Sequence, residues 1–200
     1  MNVELPAAIS ETIARILARV PRARVAAASA SLTSAYRERA GSAAPLQGTG
    51  DWRLAYLAAR APATFAAAYV ALERLAAAAP GFTPRTALDV GAGPGTASWA
   101  TVSVFANIAN ITCIEPDAIL PTLGAEIASA AQLPTMQWIA GSLSQARNVR
   151  PADLVTCSYV LNEVVSGDVE RHVDWLWSLT DGALALIEPG SRAGFATILA

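Results

Sequence analysis

The segment that most constrains the fold of this chain is the glycine-rich stretch at residues 88–96, which reads LDVGAGPGT. Glycines at alternate positions let the backbone adopt positive φ values and approach a bound molecule closely, because no Cβ stands in the way. The apolar residues before the stretch predict a buried strand, and the spacing of Trp99, Val102 and Phe105 after it predicts a helix. The stretch therefore predicts a strand, turn and helix unit that binds a ligand at the carboxyl end of the strand.

From residue 86 onward, short apolar runs alternate with segments of helical spacing, which is typical of βαβ units. Parallel strands joined by right-handed crossovers form a doubly wound sheet, so the sequence predicts a Rossmann-like α/β fold with a mainly parallel sheet. The predicted strands are residues 86–90, 110–115, 136–140, 153–160 and 183–188. The predicted helices are residues 96–106, 118–131 and 168–179, with a further helix starting at Ser191.

The first eighty residues have a different texture, with neither an internal repeat nor a catalytic constellation. Their apolar residues recur at three- and four-residue spacing and predict amphipathic helices over residues 5–20, 22–39, 51–60 and 63–79. Residues 41–50 predict a loop, and Pro62 predicts a break before the last of these helices, because proline lacks a donor for the preceding turn. We therefore predict an N-terminal helical cap at residues 1–80 and a cofactor-binding domain at residues 81–200.

Composition narrows the class of protein further. The 14 basic residues are all arginine, and most of them lie in the first eighty residues. The resulting mild excess of positive charge in the first eighty residues is compatible with contact to a phosphate backbone, and equally with a solvated helix face.

No run of the sequence reaches the roughly 18 apolar residues of a spanning helix, and the N-terminus has no signal-peptide pattern, so we expect a cytoplasmic protein without a membrane partner. Cys113 and Cys157 fall in predicted buried strands, which predicts reduced core thiols.

Acidic residues on either side of the turn distinguish between nucleotide-type cofactors. The carboxylate of Asp89 would repel a pyrophosphate but attract the amino group of a methionine moiety. Glu115, or as second choice Asp117, can accept hydrogen bonds from both ribose hydroxyls. The third glycine also comes one position early for the dinucleotide fingerprint G-x-G-x-x-G. These features favour S-adenosylmethionine (SAM) over NAD. The predicted cofactor-binding residues around the turn are Asp89, Gly91, Gly93, Gly95 and Glu115.

The ends of the third and fourth predicted strands supply further candidates. Ser142 is placed to meet the adenine ring, although an ordinary turn would have the same sequence, and Tyr159 is placed to line the pocket near the transferable methyl group. Asn162 and Glu163 are the polar residues best placed to meet a methyl acceptor, although a pair that merely starts a helix would have the same sequence. The Asn/Asp-Pro-Pro-aromatic signature of enzymes that methylate nucleic-acid amino groups is absent here.

Cysteine and histidine often act in catalysis or bind metals, but in this chain their positions also have simple structural explanations. Cys157 superficially matches a cytosine-C5 nucleophile, but it falls inside an apolar strand, whereas a reactive thiolate needs a polar and partly exposed site. His172, the only histidine, lies on an amphipathic segment where a surface or packing residue is commoner than a base. No group of residues has the spacing of metal ligands, so we predict no metal site.

Taken together, these residues resemble a class I SAM-dependent methyltransferase. More narrowly, the chain resembles the methyltransferase-like family associated with the small ribosomal subunit in mitochondria and bacteria. The resemblance extends over nearly the whole chain. The segments that carry it are RAPATFAA at 60–67, residues 88–100, residues 158–163, EPG at 188–190 and GF at 194–195.

This resemblance implies SAM binding and a role in rRNA methylation or in assembly of the small ribosomal subunit, with that subunit or its rRNA as partner. Family members continue beyond the fifth strand into further strands and a cysteine-rich stretch suited to a metal or an iron–sulfur cluster. Since this sequence stops at Ala200, we expect a chain truncated at its C-terminus. A non-catalytic assembly factor that keeps the fold and a small-molecule methyltransferase are the alternatives. The catalytic residues stay open, with Asn162 and Glu163 as candidates.

Overall fold

The computed structural model describes residues 3–38, 51–142, 149–164 and 166–199, so the predicted loop at 41–50 lies outside the described residues. Helices come first: α1 (Ala7–Leu17), α2 (Arg22–Glu38), α3 (Trp52–Ala59) and α4 (Ala61–Ala78). Strands and helices follow: β1 (Thr86–Val90), α5 (Thr96–Val104), β2 (Asn110–Glu115), α6 (Leu120–Ala130), β3 (Thr135–Ala140), β4 (Ala152–Ser158), α7 (Val169–Ser178), β5 (Thr180–Ile187) and α8 (Arg192–Leu199). Single 3-10 turns at Leu161–Glu163 and Ser166–Asp168 lie between β4 and α7.

Within the described residues, the strands form a parallel sheet in the order β3-β2-β1-β4-β5. Chain order switches direction between β1 and β4. At such a switch point a crevice opens at the carboxyl ends of the strands, where sheets of this kind bind ligands. Val90 lies beside both Ile114 and Cys157, so the segments that leave β1, β2 and β4 start at nearly the same level. The predicted doubly wound α/β fold is confirmed.

Two strand boundaries differ from prediction by more than one residue. β4 ends at Ser158, two residues before the predicted end, because Tyr159 adopts a positive φ of 60° and leaves the extended conformation. β5 begins at Thr180, which pairs with Ala152 before an irregularity in the register. The first three residues of β5 include a threonine, an aspartate and a glycine, so apolar periodicity could not detect them.

The N-terminal helices contribute to the same hydrophobic core as the sheet. α4 packs along α5, and α1 packs against α6. Phe65 and Leu72 of α4 are buried in one cluster with Trp99 of α5 and Ile111 of β2. Full burial stabilises each such side chain by about 1.5–3 kcal/mol. The predicted break is confirmed, since α3 ends before Pro62 and this proline lies in the first turn of α4, where a missing N–H costs little.

The two cysteines and the histidine, whose residue types often act in catalysis, are buried. Cys113 and Cys157 are free and buried, and burial raises the pKa of each thiol well above its usual value, so neither suits a nucleophile. His172 on α7 is 8% exposed, and its Nδ1 lies 2.8 Å from the carbonyl oxygen of Asp168, which makes it a packing residue and not a surface one. No helix in the described ranges is both long and apolar enough to cross a membrane.

An ion pair fixes α3 over the carboxyl end of β2. Nε of Arg53 lies 2.8 and 3.0 Å from the two carboxylate oxygens of Asp117, and the side chains are 17% and 15% exposed. Oδ1 of Asp117 also accepts the backbone N–H groups of Ile119 and Leu120. The guanidinium, helped by these backbone donors, lowers the pKa of Asp117 to about 2. The pair therefore anchors α3 beside the crevice.

Arg53→Ala is expected to lower the free energy of unfolding at neutral pH by about 1–2 kcal/mol. Because the folded pKa of Asp117, about 2, lies below its ordinary value of 3.8, the stabilisation is present above that value and is lost as the pH falls through the folded pKa. Urea denaturation should therefore show the difference between wild type and variant shrinking from about pH 4 to about pH 2. Arg22→Ala, at an exposed position of α2, is the control. A difference that stays constant over this range would contradict the assignment.

Candidate cofactor site

The glycine-rich turn follows β1 directly and is held by backbone hydrogen bonds to β2. The N–H groups of Gly91 and Ala92 both donate to the carbonyl oxygen of Ile114, at 2.9 and 3.0 Å, so the turn curls over the end of the neighbouring strand. Gly91, Gly93 and Gly95 have φ values of 70°, 57° and 94°. Glycine adopts this left-handed conformation at little cost, which accounts for its recurrence at alternate positions.

The space next to each glycine locates the open side of the turn. A Cβ on Gly91 would lie 2.2 Å from Cγ2 of Val160, and a Cβ on Gly95 would lie 2.7 Å from Cε of Met136. A Cβ on Gly93 would instead have the hydroxyl oxygen of Tyr56, at 3.9 Å, as its nearest neighbour. Glycine is thus required at 91 by its close contact with Val160 and at 95 by its left-handed φ, whereas Gly93 faces space that a ligand can fill.

The carboxylate of Asp89 lies beneath the turn, 1% exposed and bonded within the protein. Oδ2 accepts the backbone N–H and the hydroxyl of Ser98 at 3.0 and 2.6 Å, and Oδ1 accepts the hydroxyl of Thr156 at 3.0 Å. Burial raises the pKa of Asp89, and these hydrogen bonds oppose the shift. The carboxylate ties β1 to α5 and β4, so it positions the turn. Its predicted contact with a methionine amino group stays a prediction.

Glu115 ends β2 next to the turn and is 7% exposed. Its Oε2 accepts the N–H of Gly93 at 2.7 Å, and its Oε1 accepts the N–H of Asp117 at 2.9 Å. Burial raises the pKa of Glu115 against the effect of these donors. Each oxygen keeps a lone pair that can accept a ribose hydroxyl. Since the Asp117 carboxylate is already taken up by Arg53 and the start of α6, the geometry favours Glu115 for the ribose contact.

The remaining predicted residues lie along the same edge of the sheet. Ser142 is half-buried two residues after β3, and Tyr159 is half-buried directly after β4. Asn162 and Glu163 belong to one 3-10 turn, in which Asn162 is half-buried and Glu163 is exposed. The sheet thus brings the ends of β1, β3 and β4 to a common edge. Contacts of these four residues with cofactor or acceptor stay predictions.

Sequence reasoning missed Tyr56, which α3 carries to the open side of the turn. Its hydroxyl group faces Gly93 and lies near the hydroxyl of Thr96. Burial raises the pKa of this phenol, and the negative charges of Asp89 and Glu115 raise it further, so Tyr56 is a neutral hydrogen-bond donor at pH 7. No local signal marks this residue, because its position depends on where α3 is anchored.

Glu188 was also missed as a functional residue, although its EPG segment is part of the resemblance. It follows β5 directly, and its Oε1 accepts the N–H of Leu161 at 2.9 Å. Burial raises the pKa of Glu188 to about 7 against the effect of nearby backbone N–H groups. An acidic residue directly after a parallel strand is the signal that could have drawn attention to it.

The described residues fit an adenosyl cofactor. The hydroxyl oxygen of Ser158 is buried without a hydrogen-bond partner among them, at the end of β4. It lies on the same face of the sheet as Asp89, because Asp89 pairs with Thr156 and side chains alternate along a strand. An unpaired buried hydroxyl and an open glycine backbone suit a ligand with polar edges. Among the described side chains, no group of three or more histidine, cysteine, aspartate or glutamate residues is arranged to hold a metal ion.

Comparison with known sequences identifies relatives connected with the mitochondrial ribosome. The family model described as mitochondrial small ribosomal subunit Rsm22 matches residues 51–200. The human mitochondrial ribosome assembly protein METTL17 is 30% identical over 152 residues, which are 73% of this chain and 33% of the human protein. The chain therefore spans about a third of the length of this curated relative.

Solved structures have the same fold at low sequence identity. A candidate O-methyltransferase from Nostoc punctiforme gives a TM-score of 0.59 at 17% identity, over 88% of this chain and 56% of that chain. A SAM-dependent methyltransferase from Clostridium acetobutylicum gives 0.53 at 13% identity, over 61% and 49%. The magnesium protoporphyrin IX methyltransferase of Synechocystis, solved with bound SAM, gives 0.51 at 16% identity, over 71% and 64%. The chain has the class I methyltransferase fold.

Proposed function

The chain belongs to the mitochondrial small ribosomal subunit Rsm22 family, and we propose on that basis that it is a SAM-binding, methyltransferase-like protein that acts on the small ribosomal subunit. The observation that carries SAM binding is the glycine turn, where Gly93 faces open space while its N–H is held by the Glu115 carboxylate. The fold supports the same ligand, since one solved protein that shares it holds SAM.

In this proposal the cofactor lies between the glycine turn and α3. Glu115 would accept hydrogen bonds from the ribose hydroxyls, and the neutral phenol of Tyr56 would donate to an anionic or carbonyl oxygen of the ligand. When bound, SAM supplies a methyl group from a positively charged sulfur to a nucleophilic acceptor. The contribution of the protein to such a transfer is mainly to orient donor and acceptor, which needs no strongly basic side chain.

We expect the wild-type protein to bind SAM and S-adenosylhomocysteine in isothermal titration calorimetry, and to give no binding heat with NAD. Glu115→Ala should weaken SAM binding by about 10- to 150-fold, because losing a hydrogen bond to a charged group costs about 1.5–3 kcal/mol. Glu73→Ala, at an exposed position of α4, is the matched control and should bind as the wild type does. Absence of SAM binding by the folded wild type would overturn the proposal, and equal affinities in the two variants would overturn the role of Glu115.

A non-catalytic role in subunit assembly is the second candidate, and the name of the human relative, a ribosome assembly protein, favours it. The number of arginines in the helical region overstates the positive charge that is available to contact RNA. Arg19 pairs with Glu126, and Arg24 pairs with Asp51, so part of the positive charge is already neutralised within the protein. Binding through shape complementarity and a mixture of polar and apolar contacts therefore suits this surface better than purely electrostatic binding.

Co-sedimentation with small ribosomal subunits, combined with an assay of rRNA methylation, separates these functions. An enzyme that acts on the subunit should methylate its rRNA, and Gly93→Ala should remove that activity. An assembly factor should co-sediment equally well as wild type and as Gly93→Ala, without methylating rRNA. A protein that binds SAM but neither co-sediments nor methylates rRNA would fit a small-molecule methyltransferase and contradict both ribosomal functions.

A further inference from the structure

The turn after β5 directs Glu188 toward the segment that leaves β4. The last residues of these two strands, Ser158 and Ile187, lie side by side in the register, so Glu188 begins at the carboxyl edge of the sheet. The turn is braced by α8, because Gly194 packs so closely on Pro189 that a Cβ would lie 2.2 Å from its carbonyl oxygen. We call residues 159–164, which carry Asn162, the acceptor loop.

Glu188 contacts the acceptor loop through its carboxylate. Oε1 accepts the N–H of Leu161 at 2.9 Å, and the N–H groups of Val160 and Asn162 also interact favourably with the negative charge. Oε2 is buried and has no hydrogen-bond partner among the described residues. A carboxylate in this position satisfies backbone donors at the start of a short 3-10 turn, which have no partner within the turn itself.

The acceptor loop in turn contacts the glycine turn under local backbone strain. Cγ2 of Val160 would lie 2.2 Å from a Cβ on Gly91, so this side chain rests directly on the glycine backbone. Tyr159 has a positive φ of 60°, a conformation that a non-glycine residue keeps only when its surroundings hold it. Contacts outside the loop, including the one with Glu188, must therefore maintain this arrangement.

We propose that Glu188 is a positioning residue whose protonation state sets how firmly the acceptor loop is held against the glycine turn. The consequence for a bound cofactor rests on the proposed SAM binding, whereas the hold on the loop does not. The orphaned Oε2 is the structural reason for the coupling. A protonated carboxyl stays buried at a lower cost than an ionised one, whose unsatisfied oxygen favours an opened loop that admits water.

The direction of the pH dependence follows from linkage. Burial raises the pKa of Glu188 to about 7 in the closed arrangement, and opening exposes the group and returns its pKa toward the ordinary value of 4.5. The closed arrangement therefore binds the proton more tightly. The free energy by which this proton favours the closed arrangement is fully present below pH 4.5 and is lost as the pH rises through about 7. With these two values, the closed-to-open ratio falls about tenfold between pH 6 and pH 8.

Neighbouring titratable groups do not alter this sign. Burial, with a contribution from Glu188, raises the pKa of both Cys157 and Tyr159, so these groups on and beside β4 are neutral in this pH range. The charged residues of the adjacent acceptor loop and α8 are Glu163 and Arg192, and both are exposed to solvent that screens them.

Amide hydrogen exchange detected by NMR on the whole chain tests the proposal without any cofactor. The protection factor of the Leu161 amide should fall about tenfold from pH 6 to pH 8 in the wild type. Glu188→Gln, the neutral isostere, should keep the wild-type pH 6 value at both pH values, and Glu188→Ala should lower protection at both. Glu170→Gln, at an exposed position of α7, should behave as the wild type does. The buried Ile114 amide should stay better protected than Leu161 throughout, which shows that exchange occurs through local opening.

A Leu161 protection factor that does not change with pH in the wild type would overturn the proposal. A pH dependence that persists in Glu188→Gln would also overturn it, as would protection at Leu161 equal to that at Ile114. Because the measurement uses no SAM, failure of the protein to bind SAM would contradict the proposed function and leave the exchange result as an independent test of Glu188.

Discussion

Replacing Gly93 by alanine should remove SAM binding while the protein stays folded. The added Cβ would lie 3.9 Å from the hydroxyl of Tyr56, an ordinary contact, so the free protein accommodates it. Its left-handed φ of 57° costs an alanine about 1–2 kcal/mol. The same methyl group projects into the space in which the cofactor would approach the backbone. We expect affinity to fall by about 100-fold or more, which corresponds to at least about 2.7 kcal/mol.

Two other glycines supply the controls for this experiment. Gly81→Ala adds a methyl group with no atom within 4 Å, and it should leave both SAM affinity and stability unchanged. Gly91→Ala places its methyl group 2.2 Å from Val160, so it should destabilise the fold more than Gly93→Ala does. Calorimetric titration measures binding, and urea denaturation measures stability. Gly93→Ala protein that binds SAM within about threefold of wild type would contradict the location of the site.

Local sequence patterns were sufficient to predict those elements whose ends are marked by the residues next to them in the sequence. β1 and β2 begin and end at the predicted residues, because each is a short apolar run bounded by turn-forming residues. The glycine turn was predicted for the same reason, since alternate glycines leave few other conformations. Polar residues that belong to a strand are the opposite case. Asp181 and Gly182 lie within β5 where its register with β4 shifts, and no period in the sequence indicates it.

The sequence predicts only those residues of the site whose positions follow from the order of the strands along the chain. Glu115 was identified because the end of β2 must lie beside the end of β1 in a doubly wound sheet. Tyr56 escaped prediction because its position depends on the packing of α3 against other helices and on an ion pair with a residue 64 positions away from Arg53 in the sequence. Glu188 likewise acquires its contact with Leu161 through a turn braced by α8. Long-range contacts of this kind leave no periodicity to detect.

Asp89 was found by its position, but its hydrogen bonds change what its substitution should do. Its carboxylate accepts three hydrogen bonds in a site with 1% exposure. Asp89→Ala would leave the N–H of Ser98 buried without an acceptor and would remove a partner from the Thr156 hydroxyl. We expect the free energy of unfolding in urea to fall by about 2–4 kcal/mol, because each buried polar group left unpaired costs about 1–3 kcal/mol.

Asp89→Asn should be far milder, and it separates the structural role of this residue from a direct role in binding. The asparagine carbonyl can accept from Ser98, and its amide can donate to Thr156, whose hydroxyl can then donate to the carbonyl of Leu88 at 3.5 Å. Burial already raises the pKa of Asp89, so a neutral side chain avoids part of the cost of the buried charge. Stability should stay within about 1 kcal/mol of wild type and SAM affinity within about threefold. A stable Asp89→Asn protein with strongly weakened SAM binding would contradict the positioning role and show that the negative charge itself acts on the cofactor.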